Sequence, residues 1–98
     1  MININKLEDI LINLWQGKGI DINELISFIN DSTEIIVNSL PKLKESGIEF
    51  PIEYIKVAMK NMHTAIEATD DYMLADNIYY EWKEIFCVYN EILTEYGE

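Results

Sequence analysis

Apolar positions recur along this chain at intervals of three and four residues. They fall in four segments, divided at Gly17-Lys18-Gly19, at Glu45-Ser46-Gly47 through Pro51, and at Thr69-Asp70-Asp71. That interval keeps successive side chains on one face of an α-helix, whereas a half-buried strand needs strict alternation. In the first segment Leu7, Ile10, Leu11, Leu14 and Trp15 form the stripe. Gly17 is placed to end that helix, because glycine takes the left-handed conformation without a steric penalty. Asp21 predicts an N-cap, with Glu24 three residues on as its capping-box partner. Leu25, Phe28, Ile29, Ile36, Leu40 and Leu43 follow, and the stripe passes through Pro41 without changing face. Proline removes a donor and crowds the preceding turn, so this spacing predicts one helix kinked near Pro41 and closed by Gly47.

The third segment opens with Pro51 at a first helical position, where its missing N–H costs nothing. Its seam is Ile52, Ile55, Met59, Met62 and Ile66. The fourth carries the strongest pattern: Ala75, Ile78, Trp82, Ile85, Tyr89, Ile92 and Tyr96, with Tyr79, Phe86 and Leu93 on one flank and Leu74 and Val88 on the other. A face that wide is buried between two neighbours rather than against one. Asp70 and Asp71 read as the start of this helix, one side chain capping free N–H groups and both charges meeting the positive helix end. The expected fold class is therefore all-α, a small antiparallel bundle of four helices forming a single domain over residues 1–98. The first helix is short and the second kinked near Pro41. The second and fourth, at about 25 residues each, would run roughly 37 Å. The short first helix leaves part of their flank uncovered, which would suit a homodimer or a partner helix.

Composition narrows the function. The chain has 98 residues, 49% apolar and including 17 Ile, enough for one core and too apolar for disorder. Its 18 acidic residues face seven basic ones, a net charge of −11, and every basic residue is Lys. Without Arg, and with that charge, nucleic acid and anionic membrane surfaces are not expected partners. No apolar run approaches the length that spans a bilayer, and the first residues lack the basic-then-apolar order of a signal peptide. With a single cysteine, Cys87, these features point to the cytoplasm.

Candidate chemistry is sparse. His63 precedes Glu67 by one turn and Asp70 and Asp71 by two, a spacing that would allow a carboxylate and histidine metal site. The Glu-x-x-His pairs of a bundle di-iron centre are absent, and a lone histidine beside a seam is ordinary packing. Cys87 and His63 are the one nucleophile and base combination, yet they fall on unrelated helix faces. Glu84 and Glu91 beside Cys87 would raise its pKa rather than lower it. Gly17-Lys18-Gly19 lacks the spacing of a phosphate loop, and Asp70, Asp71 and Asp76 lack that of a calcium loop. No catalytic role, metal or cofactor is expected.

The last 29 residues stand apart, with eight acids against one lysine and five of the six tyrosines. Tyr80 and Cys87, one heptad apart with Glu84 between them, lie farthest from the seam of the fourth helix. An aromatic inside an acidic face suits protein recognition, since Tyr buries much area at little entropic cost. These residues, Tyr80, Glu84 and Cys87, mark the expected partner-binding surface. The reading is a non-catalytic interaction module of the adaptor or chaperone kind, binding a protein that is basic or presents an amphipathic helix. The alternatives are an immunity-type inhibitor of a basic toxin or nuclease, and a metal protein using His63, Glu67 and Asp71.

Residues 65–82 contain Asp71-Tyr72, Leu74-Ala75-Asp76 and Tyr80-Glu81. This stretch resembles one in small all-helical proteins of low-GC Gram-positive bacteria, a group without an assigned activity. The resemblance covers under a fifth of the chain and implies a helical fold alone.

Overall fold

A computed structural model describes residues 1–97, with side chains described through Glu95. It contains four helices and no strand among the described residues: α1 (Ile4–Trp15), α2 (Ile22–Glu45), α3 (Ile52–Glu67) and α4, which starts at Asp71. Helix α4 is built from an α-helical stretch Asp71–Asn77, a π-helical turn Ile78–Trp82, an α-helical stretch Lys83–Ile92 and a second π turn Leu93–Gly97. In the first π turn the Lys83 N–H reaches back five residues to the Ile78 carbonyl. The backbone on either side of that turn keeps right-handed helical angles, so the helix runs through it unbroken.

Caps set the boundaries. Asn3, Asp21 and Asp70 each accept a bond from the N–H three residues on, at Lys6, Glu24 and Met73. The capping box at Asp21 is only half made: Glu24 turns its carboxylate to Lys6 on α1, at 3.5 Å, instead of back to the Asp21 backbone. Pro51 stands one position earlier than its spacing suggested, as the residue before α3.

The three described inter-helix exits share one geometry. In each, the third residue past the helix donates to a carbonyl five back, and the residue before it donates to one three back. The pairs are Lys18 to Asn13 with Gly17 to Leu14, Ile48 to Leu43 with Gly47 to Lys44, and Asp70 to Ala65 with Thr69 to Ile66. Gly17 and Gly47 have φ of 73° and 81°, as this turn requires. Thr69 takes the same position with φ 53°, a conformation that its branched Cβ opposes.

Helix α4 lies closest to α1 and α3 and antiparallel to both. At one end of the α1 contact Asn90 exchanges two hydrogen bonds with the Ile2 backbone, at 3.0 and 2.9 Å. At the other end Trp15 meets Tyr79. Helix α2 covers the remaining side through large side chains, Phe28 standing edge-on to Phe86 at 6.2 Å. It continues without interruption through Pro41. Pro41 and Val37 are both exposed, so water can satisfy the Val37 carbonyl that the proline leaves without a donor.

The core follows most of the expected stripes. Leu7, Leu11, Leu14, Leu25, Ile29, Ile36, Ala75, Ile78, Trp82, Ile85 and Tyr89 are all buried, with Phe86 and Leu74 beside them. Tyr96, the last seam position, lies outside the described side chains. Three expectations change. Tyr79, expected on the flank of the buried α4 face, is 40% exposed. Trp15 is 57% exposed, because α1 ends there and the ring leans outward onto Tyr79 instead of inward. On α3 the buried line is Ile55, Ala58, Met62 and Ala65, while Ile52, Met59 and Ile66 are half-buried. Small residues let α3 approach α4 closely, so the alanines rather than the larger side chains take the contact line.

Candidate functional site

Two polar-rich stripes meet along the outside of the α3–α4 pair. Tyr54, Val57, Asn61 and Thr64 follow one another on α3, and Met73, Asp76, Asn77, Tyr80, Glu81 and Glu84 on α4, all at spacings that keep each set on one helix face. Between them lie two open hollows. One, of about 320 Å³, is lined by Asn61, Thr64, Met73, Asp76, Asn77, Tyr80 and Glu81. The other, of about 420 Å³, is lined by Tyr54, Val57, Tyr80, Glu81, Glu84 and Ile85. Tyr80 and Glu81 belong to both, so the hollows adjoin there.

The polar hollow has an ordered floor. Asn61 on α3 donates through Nδ2 to both oxygens of Glu81, at 3.2 and 2.9 Å. Asn77 donates through its own Nδ2 to Glu81 Oε1 at 2.6 Å and to the Ala58 carbonyl at 3.1 Å. The missing side chain beyond Cβ at Ala58 is what lets Asn77 reach that backbone group. Two acceptors fix which end of the Asn77 amide is nitrogen, since the reverse orientation would set oxygen against oxygen. Asn77 Oδ1 is then left buried and without a donor.

Aromatic rings carry the surface across α4. Trp15 and Tyr79 have centroids 5.7 Å apart, and Tyr79 meets Tyr80 edge-on at 4.8 Å. Both tyrosines sit in the π turn, a device often found where a helix does something besides pack. Tyr80 is 69% exposed and Tyr54 66%. On the α1 side, Lys83 lies 5.2 Å from the centre of the Tyr79 ring and 3.0 Å from the Glu8 carboxylate. That hydrogen bond holds the Lys83 ammonium above its ordinary pKa.

Of the residues the sequence marked for partner binding, Tyr80 and Glu84 share the second hollow and Cys87 is not among its lining residues. Cys87 is half-buried, with its pKa pushed up first by burial, then by Glu84, Glu91 and Glu8, against an opposing effect of Lys83. His63, Glu67 and Asp71 are exposed, and the Asp70 carboxylate is engaged in capping. Among the described residues no three His, Cys, Asp or Glu side chains converge as metal ligands. Among the described residues no helix is long and apolar enough to cross a membrane.

Sequence reasoning missed Tyr54, Val57, Asn61, Asn77 and Glu81. The first three share a face of α3 at intervals of three and four, which carries a signal. Nothing local shows that this face meets α4. Comparison with family models, with characterised proteins and with solved structures gives no match for this chain.

Proposed function

We propose that this protein is a non-catalytic interaction module that captures a basic protein through the acidic, aromatic surface of α4 around Tyr80 and Glu84. The observation that carries the reading is Tyr80 itself. A tyrosine 69% exposed, continuous with two further aromatic rings and bordered by Glu81 and Glu84, offers the kind of anchor on which protein interfaces concentrate their energy. The net charge of −11 favours a basic partner and speeds its capture. A cytoplasmic setting fits the single unpaired Cys87.

An adaptor and an inhibitor of a basic toxin or nuclease are two forms of this reading, and ionic strength separates them. Charge-steered capture weakens steeply with salt, whereas seating of an apolar helix does not. The test is retention of proteins from a lysate of the source organism by the immobilised chain and by Tyr80→Glu, at low and high salt. A basic protein held by the wild type, released by salt and lost with Tyr80→Glu is the expected result. Circular dichroism should show the variant folded, because Tyr80 projects from the bundle. A partner held equally by Tyr80→Glu would overturn the assignment of this surface.

A further inference from the structure

The second hollow has an open apolar wall. Tyr54 and Val57 on α3 and Tyr80 on α4 are each more than half exposed, and Ile85 lines the space with them. Single exposed apolar side chains are ordinary, but three around one hollow leave a contiguous patch in water. The patch meets the first hollow at Tyr80, and together the two make a trough along the α3–α4 pair. From Tyr54 to Thr64 the α3 side of that trough rises about 15 Å, the length of about three helical turns.

The two sides of the trough differ in charge. Asp76, Glu81 and Glu84 stand on the α4 side. Lys83 is drawn to Glu8 on α1, and among the described residues no lysine pairs with any of these three acids. Over residues 53–64 of α3 the one acid, Glu53, is paired with Lys56 at 3.3 Å, and Lys60 follows a turn later. The trough is therefore an apolar channel with a single negative bank, and its field has a direction across the two helices.

We propose that the trough seats one amphipathic helix of the partner protein, with its apolar stripe on Tyr54, Val57 and Tyr80 and its basic flank against the α4 bank. The proposal rests on the interaction reading above and adds the form of the partner and the second helix, α3, that holds it. Helices dock in grooves through apolar residues at three-and-four spacing, and complementary charge along one flank fixes which way round they lie. Strand addition would need an open strand edge, and the described residues contain no strand. A second copy of this chain is a poorer occupant, because two molecules of net charge −11 repel and each brings a negative bank of its own.

The probe is a blocked helical peptide of about 14 residues, close to four turns, built from leucine, alanine, glutamine and lysine. Its leucines form one stripe and its lysines lie along one flank. Titration into isotope-labelled protein is followed by backbone amide NMR, and saturable shifts around Val57, Tyr80 and Ile85 are expected. Affinity should fall at least tenfold for Val57→Glu, for a peptide of the same composition with its leucines scattered, and for one with glutamate in place of lysine. Val37→Glu puts the same charge at an exposed apolar position of α2 outside both hollows, and should stay within twofold of wild type. Circular dichroism should show both variants folded, since both valines are exposed.

Equal binding by the scattered peptide would reduce the contact to charge and overturn the proposal. So would an absence of saturable binding, shifts confined to other residues, or an equal loss in Val37→Glu. A free protein that sediments as a dimer, and as a monomer in Val57→Glu, would give the trough to a second copy and overturn it too. Capture of a partner that is lost in Tyr80→Glu but kept in Val57→Glu removes the helix trough and leaves the α4 surface. Capture kept in both removes that surface as well.

Discussion

The hydroxyl groups of Ser39 and Tyr89 meet 2.6 Å apart, joining the C-terminal part of α2 to the buried seam of α4. Ser39 Oγ also donates to the Ile35 carbonyl at 2.9 Å. A hydroxyl has one proton to give, so Tyr89 must be the donor in the pair. Tyr89→Phe should then cost about 1 kcal/mol, the loss of one hydrogen bond with packing retained. Ser39→Ala should cost more, about 1–3 kcal/mol, because it strands the buried phenol. The double variant should lose no more than the larger single. Urea unfolding of the four proteins measures this directly, and additive losses would show that the contact is not shared.

Thr69 is the residue whose replacement should stabilise the fold. It occupies a left-handed position that Gly17 and Gly47 fill elsewhere. Thr69→Gly removes about 1–2 kcal/mol of steric strain and returns part of that as freedom of the unfolded chain. A net gain of about 1 kcal/mol is expected in thermal unfolding. Gly47→Ala should lose about as much, even though an added Cβ would meet nothing within 4 Å, because the penalty comes from the backbone angle.

The two tryptophans should report opposite environments. Trp82 is fully buried and Trp15 is 57% exposed. In Trp15→Phe the remaining emission should shift to the blue and resist quenching by acrylamide. Trp82→Ala should cost about 3–5 kcal/mol, as expected for a large core side chain. Trp82→Phe should cost clearly less, because the indole N–H has no partner in the core and its removal offsets part of the lost packing. Stability loss in Trp82→Phe equal to that in Trp82→Ala would mean the N–H is bonded after all.

Cys87 gives the fold an alkaline limb. Its thiol is held above the ordinary range by burial and by Glu84, Glu91 and Glu8. As pH rises through that range, the unfolded chain ionises its thiol first and is favoured, so stability falls until the folded thiol ionises too. The decline should be shallower in Cys87→Ala than in wild type, as read from urea midpoints across the alkaline range. Lys83 acts in the opposite sense, so Lys83→Met should slow alkylation of Cys87 by iodoacetamide at fixed pH.

Helix identity and most of the core could be read from the sequence, because Leu7, Leu11 and Leu14, or Ile78, Trp82, Ile85 and Tyr89, differ from their neighbours in apolarity, and burial follows apolarity. The stops at Gly17 and Gly47 and the caps at Asp21 and Asp70 were equally legible, since each depends on local backbone chemistry. Ala58 was not, because its role comes from small size at a point of close approach, and that point is set by another helix. The π turn at Ile78–Trp82 left no trace, since the surrounding seam keeps its three-and-four spacing through it. Within the candidate site Tyr80 and Glu84 were found as an exposed aromatic and acid on one helix. Asn61, Asn77 and Glu81 were not, because their meaning lies in hydrogen bonds between α3 and α4.

The exits from α1, α2 and α3 are closed by N–H and carbonyl groups of the main chain, with no side-chain bond required beyond the left-handed residue itself. Exchanging acids that neither cap a helix nor bond across to another, such as Asp31 and Glu34, therefore recolours the surface and leaves the angles between helices untouched. At those positions the shape of the bundle and the electric field around it depend on different atoms. One scaffold can keep its architecture while its choice of charged partner drifts or is redesigned.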